Sequence, residues 1–383
     1  MRISHVMLAK GFGGAERIFV DLCLAQAARG VEIQAICHPR AESLGLLADT
    51  PGIHCATVRA WGAWDPFAGG QIARLLRRFD AELCHAHLAR AAHLAGQACR
   101  RLGVPLLVDV HNYVDLKYYR AVDLLVATTA DELRYLLAEG VAPARTTLIP
   151  NFSRIPAHDR HTGTAAASAP PTIQALAIQP PTIQPPTIQP PTIEPPTIQP
   201  PTIKAYGRLV RKKGFHCLLD ALAQVRRDLP AVRLVLGGTG PEEAALRAQA
   251  AALGLGEAVT FVGWVADVDR FLADATLFCL PSLDEPFGVA ILEAMAGTTP
   301  LVATLTQGPR EILSPATAWL VPPGDAPALA AALADALADA TGRQGRALAA
   351  CRLYAERYSE AAVVPRYLDR YAQLIAARRR PSA

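Results

Sequence analysis

Short apolar runs separated by longer stretches of helical periodicity recur twice along this chain. In residues 1–152, the runs at 3–8, 31–37, 83–87, 105–110 and 124–127 read as buried strands. Continuous apolar runs of this length suit a sheet covered on both faces. Between them, apolar positions three and four apart predict helices over 15–29, 69–79, 90–102 and 131–139. The pattern restarts at residue 203, with strands expected at 203–206, 232–237, 259–262, 275–280 and 301–303, and helices at 214–227 and 241–253. Such alternation predicts an α/β protein with parallel, doubly wound sheets. A chain of 383 residues is long for one core and natural for two. The expected domains are 1–152 and 203–362, with 363–383 as a terminal helix crossing back to the first.

Between the two halves the pattern breaks. Residues 170–204 form seven five-residue units: PPTIQ, ALAIQ, PPTIQ, PPTIQ, PPTIE, PPTIQ and PPTIK. Proline pairs at this period exclude helix interiors and central strands and favour polyproline II. With the Ala-, Thr- and Ser-rich stretch before them, residues 153–202 read as a disordered linker. The last unit runs into Ala205-Tyr206-Gly207, so Thr202-Ile203-Lys204 is expected to open a strand. The repeats could serve as a PxxP-type ligand; an inert expansion is the simpler reading.

Composition narrows the classes. Half the residues are hydrophobic and the net charge is only +4, which gives no argument for nucleic acid. No segment reaches the roughly 18 apolar residues of a membrane span, and residues 1–10 lack the features of a signal peptide. Eight cysteines without a CxxC read as small hydrophobes in a reducing cytosol. His85-Ala-His87 has a metal-like spacing, but no third ligand stands nearby in the sequence, so no metal is assigned.

The most informative segment is Glu285-Pro-Phe-Gly-Val-Ala-Ile-Leu-Glu293. It follows an apolar run and is expected to open a helix, with Pro286 in the first turn. Gly288 removes a side chain where a ligand could approach the backbone. Eight residues correspond to about 12 Å of helix rise, which places Glu285 at the mouth and Glu293 two turns in. A helix mouth favours phosphate, and flanking carboxylates suit hydroxyls at both ends of a sugar nucleotide. In the first half, Gly11-Phe-Gly-Gly-Ala-Glu16 is a second glycine-rich strand–helix turn.

This spacing is an E-x7-E motif, and the segment resembles the donor site of retaining glycosyltransferases with the GT-B fold, of the family 4, group 1 type. The resemblance extends over about residues 203–330. It takes in Gly207-Arg208-Leu209 with Arg211-Lys212-Lys213-Gly214-Phe215, Gly238-Thr239-Gly240-Pro241, Phe261-Val262-Gly263-Trp264-Val265, Glu311, and Val321-Pro322-Pro323-Gly324-Asp325. Gly11–Glu16 is similar to the family's GGxE loop. One departure is Gly297-Thr298-Thr299, which leaves Thr298 at a helix end where glycine is preferred.

The resemblance implies two Rossmann-like domains across a cleft. It implies Arg208 and Lys213 on the donor diphosphate, Glu285 on the sugar and Glu293 on the ribose. Phe287 and Gly288 would lie beside the sugar, Val262 on the base side, Gly13 and Gly14 at the loop bordering donor and acceptor, and His111 near the reacting centre. Cationic side chains would replace a metal, and no cofactor is implied beyond a nucleotide-diphosphate sugar, expected to be UDP-linked, as co-substrate. The expected acceptor is a glycan or lipid-linked glycan such as lipopolysaccharide core. The expected location is the cytoplasm, with peripheral contact at the inner membrane surface. A sugar-nucleotide epimerase of the same architecture and a non-catalytic scaffold stay open as alternatives.

Overall fold

The computed structural model describes residues 1–111, 115–158 and 200–379; repeat units 170–199 lie outside the described residues. Seven strands build the first sheet: β1 (Arg2–Met7), β2 (Glu32–Cys37), β3 (Ile53–Thr57), β4 (Leu83–His87), β5 (Leu106–Asp109), β6 (Leu124–Ala127) and β7 (Thr146–Leu148). Their spatial order is β3-β2-β1-β4-β5-β6-β7, with every pairing parallel. The second sheet holds β8 (Thr202–Tyr206), β9 (Arg233–Gly237), β10 (Val259–Gly263), β11 (Leu277–Leu280), β12 (Leu301–Thr304) and β13 (Trp319–Val321). Its order is β10-β9-β8-β11-β12-β13, again all parallel.

In each sheet the order reverses beside the first strand, between β1 and β4 and between β8 and β11. In open parallel sheets ligands bind outside the carboxyl ends of the strands at such a switch point. The central strands are buried on both faces because helices cover both, which is why they read as unbroken apolar runs. The strands with no counterpart in the apolar pattern, β3, β7 and β13, are all sheet edges. β3 reads Ile-His-Cys-Ala-Thr and is largely exposed.

Helix Glu360–Arg379 leaves the second domain and inserts Val363, Val364, Tyr367 and Tyr371 into the first domain's core. The carboxyl edges of the two sheets face each other. Phe12, after β1, meets Trp264, after β10, edge to face with ring centroids 5.9 Å apart. Both carboxylate oxygens of Glu311 accept from the Ala130 N–H, at 2.8 and 2.7 Å. Among the described residues all eight cysteines are free, most of them buried, and no helix is long and apolar enough to cross a membrane.

Candidate active site

The switch point of the second sheet gathers the motif residues. The loop after β8 carries Arg208 and the one-turn 3-10 helix Arg211–Lys213; the loop after β11 carries Ser282 to Gly288. Gly214 lets them touch: its φ is +68°, and a Cβ there would stand 1.9 Å from the Pro281 carbonyl oxygen. Lys213 Nζ then pairs with Glu285 Oε2, which also accepts from Ser282 Oγ at 3.2 Å. The Glu285 carbonyl is held by the Gly308 N–H at 3.0 Å. Arg208, in the same loop as Lys213, is exposed, and among the described residues no carboxylate neutralises it. Phe287 and Gly288 are buried under the loop, while Val262 is exposed at the end of β10.

The helix that follows begins later than the sequence suggests. It spans Val289–Ala296, with Gly288 as N-cap at φ +95°. Pro286 therefore lies in a loop rather than a first helical turn, and Glu285 lies outside the helix. The left-handed residue redirects the chain, a conformation glycine adopts without strain. At the other end Thr298 has φ +48°, the left-handed C′ position expected for it. Its N–H bonds Met295 O while that of Thr299 bonds Ala294 O, a Schellman end with threonine in place of glycine at the left-handed position.

Glu293 is 5% exposed and is shared by both domains. The Tyr206 hydroxyl donates to its Oε2, and Arg17 Nη2, from helix Gly14–Ala27 of the first domain, stands 3.4 Å from Oε1. Burial raises the Glu293 pKa, and Arg17 opposes that rise. Arg17 is also anchored by Asp21 at 3.2 Å. Just before it, Glu16 accepts from the Gly13 N–H at 3.0 Å and caps the helix. A Cβ added to Gly11 or Gly14 would meet nothing within 4 Å. Packing does not demand these glycines, and they leave the backbone bare toward the cleft.

The histidines form a separate, buried cluster in the first domain. Sheet register sets His5 beside His85 and His87 beside Asp109. The third ligand missing near His85-Ala-His87 in sequence is thus supplied in space. His5, His85 and His87, or His87, Asp109 and His111, lie close enough to hold a metal ion. Hydrogen bonding assigns the tautomers. Gln26 Nε2 donates to Tyr371 Oη (3.0 Å), which donates to His85 Nδ1 (2.6 Å), so His85 Nε2–H faces Asp109 Oδ2 at 3.2 Å. Gln26 Oε1 accepts from His5 Nε2 (3.0 Å), and His5 Nδ1 from His87 Nε2 (3.1 Å).

His87 Nδ1 keeps a lone pair 3.4 Å from Asp109 Oδ2, and His111 Nε2 stands 3.8 Å from the same oxygen. Burial lowers His5 to about 3 and His87 well below its ordinary value, so both rings are neutral at pH 7. His111 is lowered by burial and partly restored by Asp109. Its φ of +60° is a strained backbone for a non-glycine residue, costing of order 1–3 kcal/mol. Among the described residues no hydrogen bond or ion pair joins His111 to Glu285, Lys213 or Glu293.

Comparison with known proteins fits this geometry. Residues 193–354 match the family model for glycosyl transferases group 1, and residues 12–153 that for glycosyltransferase family 4. The lipopolysaccharide core biosynthesis glycosyltransferase LpsE of Rhizobium meliloti (strain 1021) is 31% identical over 326 residues, covering 81% of each chain. The chain belongs to the family 4, group 1 glycosyltransferases. LpsD of the same organism is 27% identical over 379 residues, 99% of this chain and 100% of its own.

Among solved structures, a glycosyltransferase from Rickettsia africae ESF-5 superposes with a TM-score of 0.79 at 17% identity, covering 98% of both chains. Anabaena HepE, crystallised with UDP and glucose, gives 0.76 at 20% identity, covering 97% of this chain and 100% of its own. The fold is GT-B. In this glycosyltransferase the residues that the E-x7-E reading missed are Arg17, Tyr206, His5 and Asp109. Arg17 follows the GGxE-like loop directly, so its position was the available signal; the others meet only through sheet register and domain packing.

Proposed function

We propose that the protein is a retaining, metal-independent glycosyltransferase using a nucleotide-diphosphate sugar, with UDP as carrier. The observation that carries this reading is the Lys213–Glu285 pair at the switch point, with an exposed, unneutralised Arg208 in the same loop as Lys213. Lys213 is held by a carboxylate; a bound diphosphate would share it and bring Arg208 as a two-pronged donor. Preorganised positive charge there counters the charge that develops on the leaving diphosphate, the work a divalent cation performs elsewhere. Glu285, freed from part of its pairing with Lys213, accepts from donor-sugar hydroxyls beside the Phe287–Gly288 backbone. Glu293, already a buried acceptor of a hydroxyl proton from Tyr206, accepts from the ribose.

The acceptor attacks from the face on which the diphosphate leaves, and a phosphate oxygen takes its proton. His111 orients the sugar from the first domain, while Gly13, Gly14 and Val262 border the donor. The acceptor is a glycan of the cell envelope, with lipopolysaccharide core the class named for the relatives LpsE and LpsD. The enzyme would work in the cytoplasm, reaching its acceptor at the membrane surface.

A thermal-shift screen over nucleotide sugars tests the donor. Ligand at 100 times its dissociation constant stabilises the fold by about 2.7 kcal/mol, so the true donor stands out from the panel. Transfer with the anomeric configuration inverted would refute the retaining mechanism. Activity abolished by chelator and restored by Mg²⁺ or Mn²⁺ would refute metal independence.

A further inference from the structure

The buried histidine cluster of the first domain holds an electrostatic conflict that its hydrogen bonds do not resolve. Asp109 Oδ2 lies at the centre, with His85 Nε2 at 3.2 Å, His87 Nδ1 at 3.4 Å and His111 Nε2 at 3.8 Å. The side chains of His85, His87 and Asp109 are fully buried, and that of His111 is 5% exposed. Among the described residues neither His87 Nδ1 nor His111 Nε2 makes a hydrogen bond. Polar atoms buried in this way are rarely left without a partner.

The remaining bonds of the cluster show how the conflict arises. They form one chain: His87 Nε2 with His5 Nδ1, His5 Nε2 with the Gln26 amide, Gln26 with Tyr371 Oη, and Tyr371 Oη with His85 Nδ1. A neutral imidazole has one N–H to give. When His87 donates into the chain and Tyr371 donates to His85, the His85 Nε2–H meets Asp109 but His87 Nδ1 turns a lone pair on the carboxylate. Reversing every donor, with the Gln26 amide turned over, moves that lone pair to His85 Nε2 without removing it. Either way a lone pair opposes a carboxylate oxygen inside the fold, where a cation between them would relieve the repulsion.

The spacing suits a metal ion. Ligand atoms on a tetrahedral Zn²⁺ stand about 3.3–3.4 Å apart. His87 Nδ1 and Asp109 Oδ2 already have that separation, and His111 Nε2 needs only to draw in slightly. His87, Asp109 and His111 offer ligand atoms that all lie within 4.8 Å of one another. The outer contacts are built as well. His87 Nε2–H donates to His5 Nδ1 at 3.1 Å, and Asp109 Oδ1 accepts from the Tyr367 hydroxyl at 3.1 Å. Partners of this kind orient the ligands of metal sites.

We propose that His87 Nδ1, Asp109 Oδ2 and His111 Nε2 form a binding site for a divalent transition metal of zinc's class. Two imidazoles and one carboxylate favour such an ion over Mg²⁺. Bound there, it ties the end of β4 to the end of β5 and, through Tyr367, to helix Glu360–Arg379 from the second domain. Its role is to brace the fold rather than to carry the diphosphate, and it leaves Nδ1 as the His111 atom available to the sugar. The inference stands apart from the donor reading.

Full-length, tag-free protein, stripped with chelator and titrated with Zn²⁺, tests it. One Zn²⁺ should bind per chain, the melting temperature should rise and saturate at that ratio, and Mg²⁺ should do neither. X-ray absorption should show nitrogen and oxygen ligands at about 2.0–2.1 Å and no sulfur at about 2.3 Å, which separates this site from the eight free cysteines. Tyr367→Phe keeps the ligands and removes one outer partner, so it should weaken binding by about 10–100-fold; Asp109→Asn should weaken it further. No Zn²⁺ bound by the wild type, a shell containing sulfur, or wild-type affinity in both variants would each overturn the proposal. The wild-type measurements decide it even where a variant fails to fold.

Discussion

The two carboxyl edges that face each other across the cleft are built by opposite strategies. The second domain concentrates its site in two loops adjacent in space, after β8 and β11, and each loop is contiguous in sequence. Arg208, Lys213, Glu285 and Gly288 all come from these short segments. The first domain spreads its polar cluster along the sheet: His5 at β1, His85 and His87 at β4, Asp109 and His111 at β5. A loop site is written as a motif; a sheet-edge site exists only once register has been set. Under the proposed function, the motif edge would read the part of the reaction that is fixed by the diphosphate.

The sharpest test of this contrast is on the motif side. Arg208→Ala and Lys213→Ala should each lower turnover by about a hundredfold to a thousandfold, the usual cost of removing one preorganised donor. Melting temperature should move little, because Arg208 is exposed and Lys213 is half-buried. Steady-state transfer rates together with circular dichroism check both. Turnover within a fewfold of wild type would dissolve the assignment of the motif edge to the diphosphate.

The histidine cluster should give the first domain a pH sensitivity that the second lacks. His5 is depressed from 6.5 to about 3, so below pH 6.5 the unfolded chain takes up a proton that the folded one refuses. Its contribution to stability is complete above pH 6.5 and is lost as pH falls toward 3, at about 1.4 kcal/mol per unit. Glu132 has the opposite sign. Burial raises it from 4.5 to about 7, so its penalty is relieved as pH falls from 7 to 4.5. Between pH 6.5 and 4.5 the His5→Gln variant should therefore lose about 2–3 kcal/mol less than wild type, although it starts lower at pH 7. Thermal melts across that range decide the point; parallel curves for the two proteins would show that His5 is protonated in the fold.

The same contrast explains what could be read beforehand. Both doubly wound sheets were legible because central strands such as Leu83–His87 and Leu277–Leu280 are buried on both faces and so are apolar throughout. Edge strand β3 was not, since Ile-His-Cys-Ala-Thr is largely exposed and carries no period. The placement of Lys213 against Glu285 follows from motifs 72 residues apart, each recognisable in itself. The start of the motif helix did not, because Gly288 takes a left-handed φ that turns the chain before the helix begins. Nothing local in the sequence shows that Arg17 crosses to Glu293, since that pairing depends on how the domains close.

Glu293 joins the two edges, which makes it the place to measure their coupling. Glu293→Ala should weaken nucleotide-diphosphate binding by about 1.5–3 kcal/mol, the cost of losing a charged hydrogen-bond partner. Arg17→Ala should weaken it less, because Tyr206 still holds the carboxylate. A double-mutant cycle between them should return a coupling of about 0.5–3 kcal/mol. Free UDP bound equally well by Glu293→Ala and wild type would remove the ribose assignment, and a coupling of zero would separate the two edges energetically.

The smallest effect should come from the repeats that separate the domains in sequence. The chain is anchored on the second domain at both ends of that segment. The His158 N–H bonds Ala296 O at 2.9 Å, its carbonyl accepts from Thr298 Oγ1 at 3.1 Å, and Thr202 opens β8 with its N–H on Thr276 Oγ1 at 3.0 Å. The Phe278 N–H bonds Pro300 O, so both anchors lie at the amino edge of the second sheet. There β8 and β12 flank β11, two strand spacings or about 10 Å apart. Deleting residues 170–199 leaves thirteen residues, 159–169 and 200–201, between the anchors, a length that reaches about 43 Å when extended. The span is met without strain. Closure entropy changes by about 0.6 kcal/mol per halving of the connection, so two halvings raise stability by about 1 kcal/mol. Transfer rate should stay within a factor of two of the full chain, and melting temperature should rise by a few degrees at most. A deletion variant that folds by circular dichroism but loses most of its transfer rate would place the repeats in acceptor binding or domain closure, and the catalytic cleft would then have a third edge.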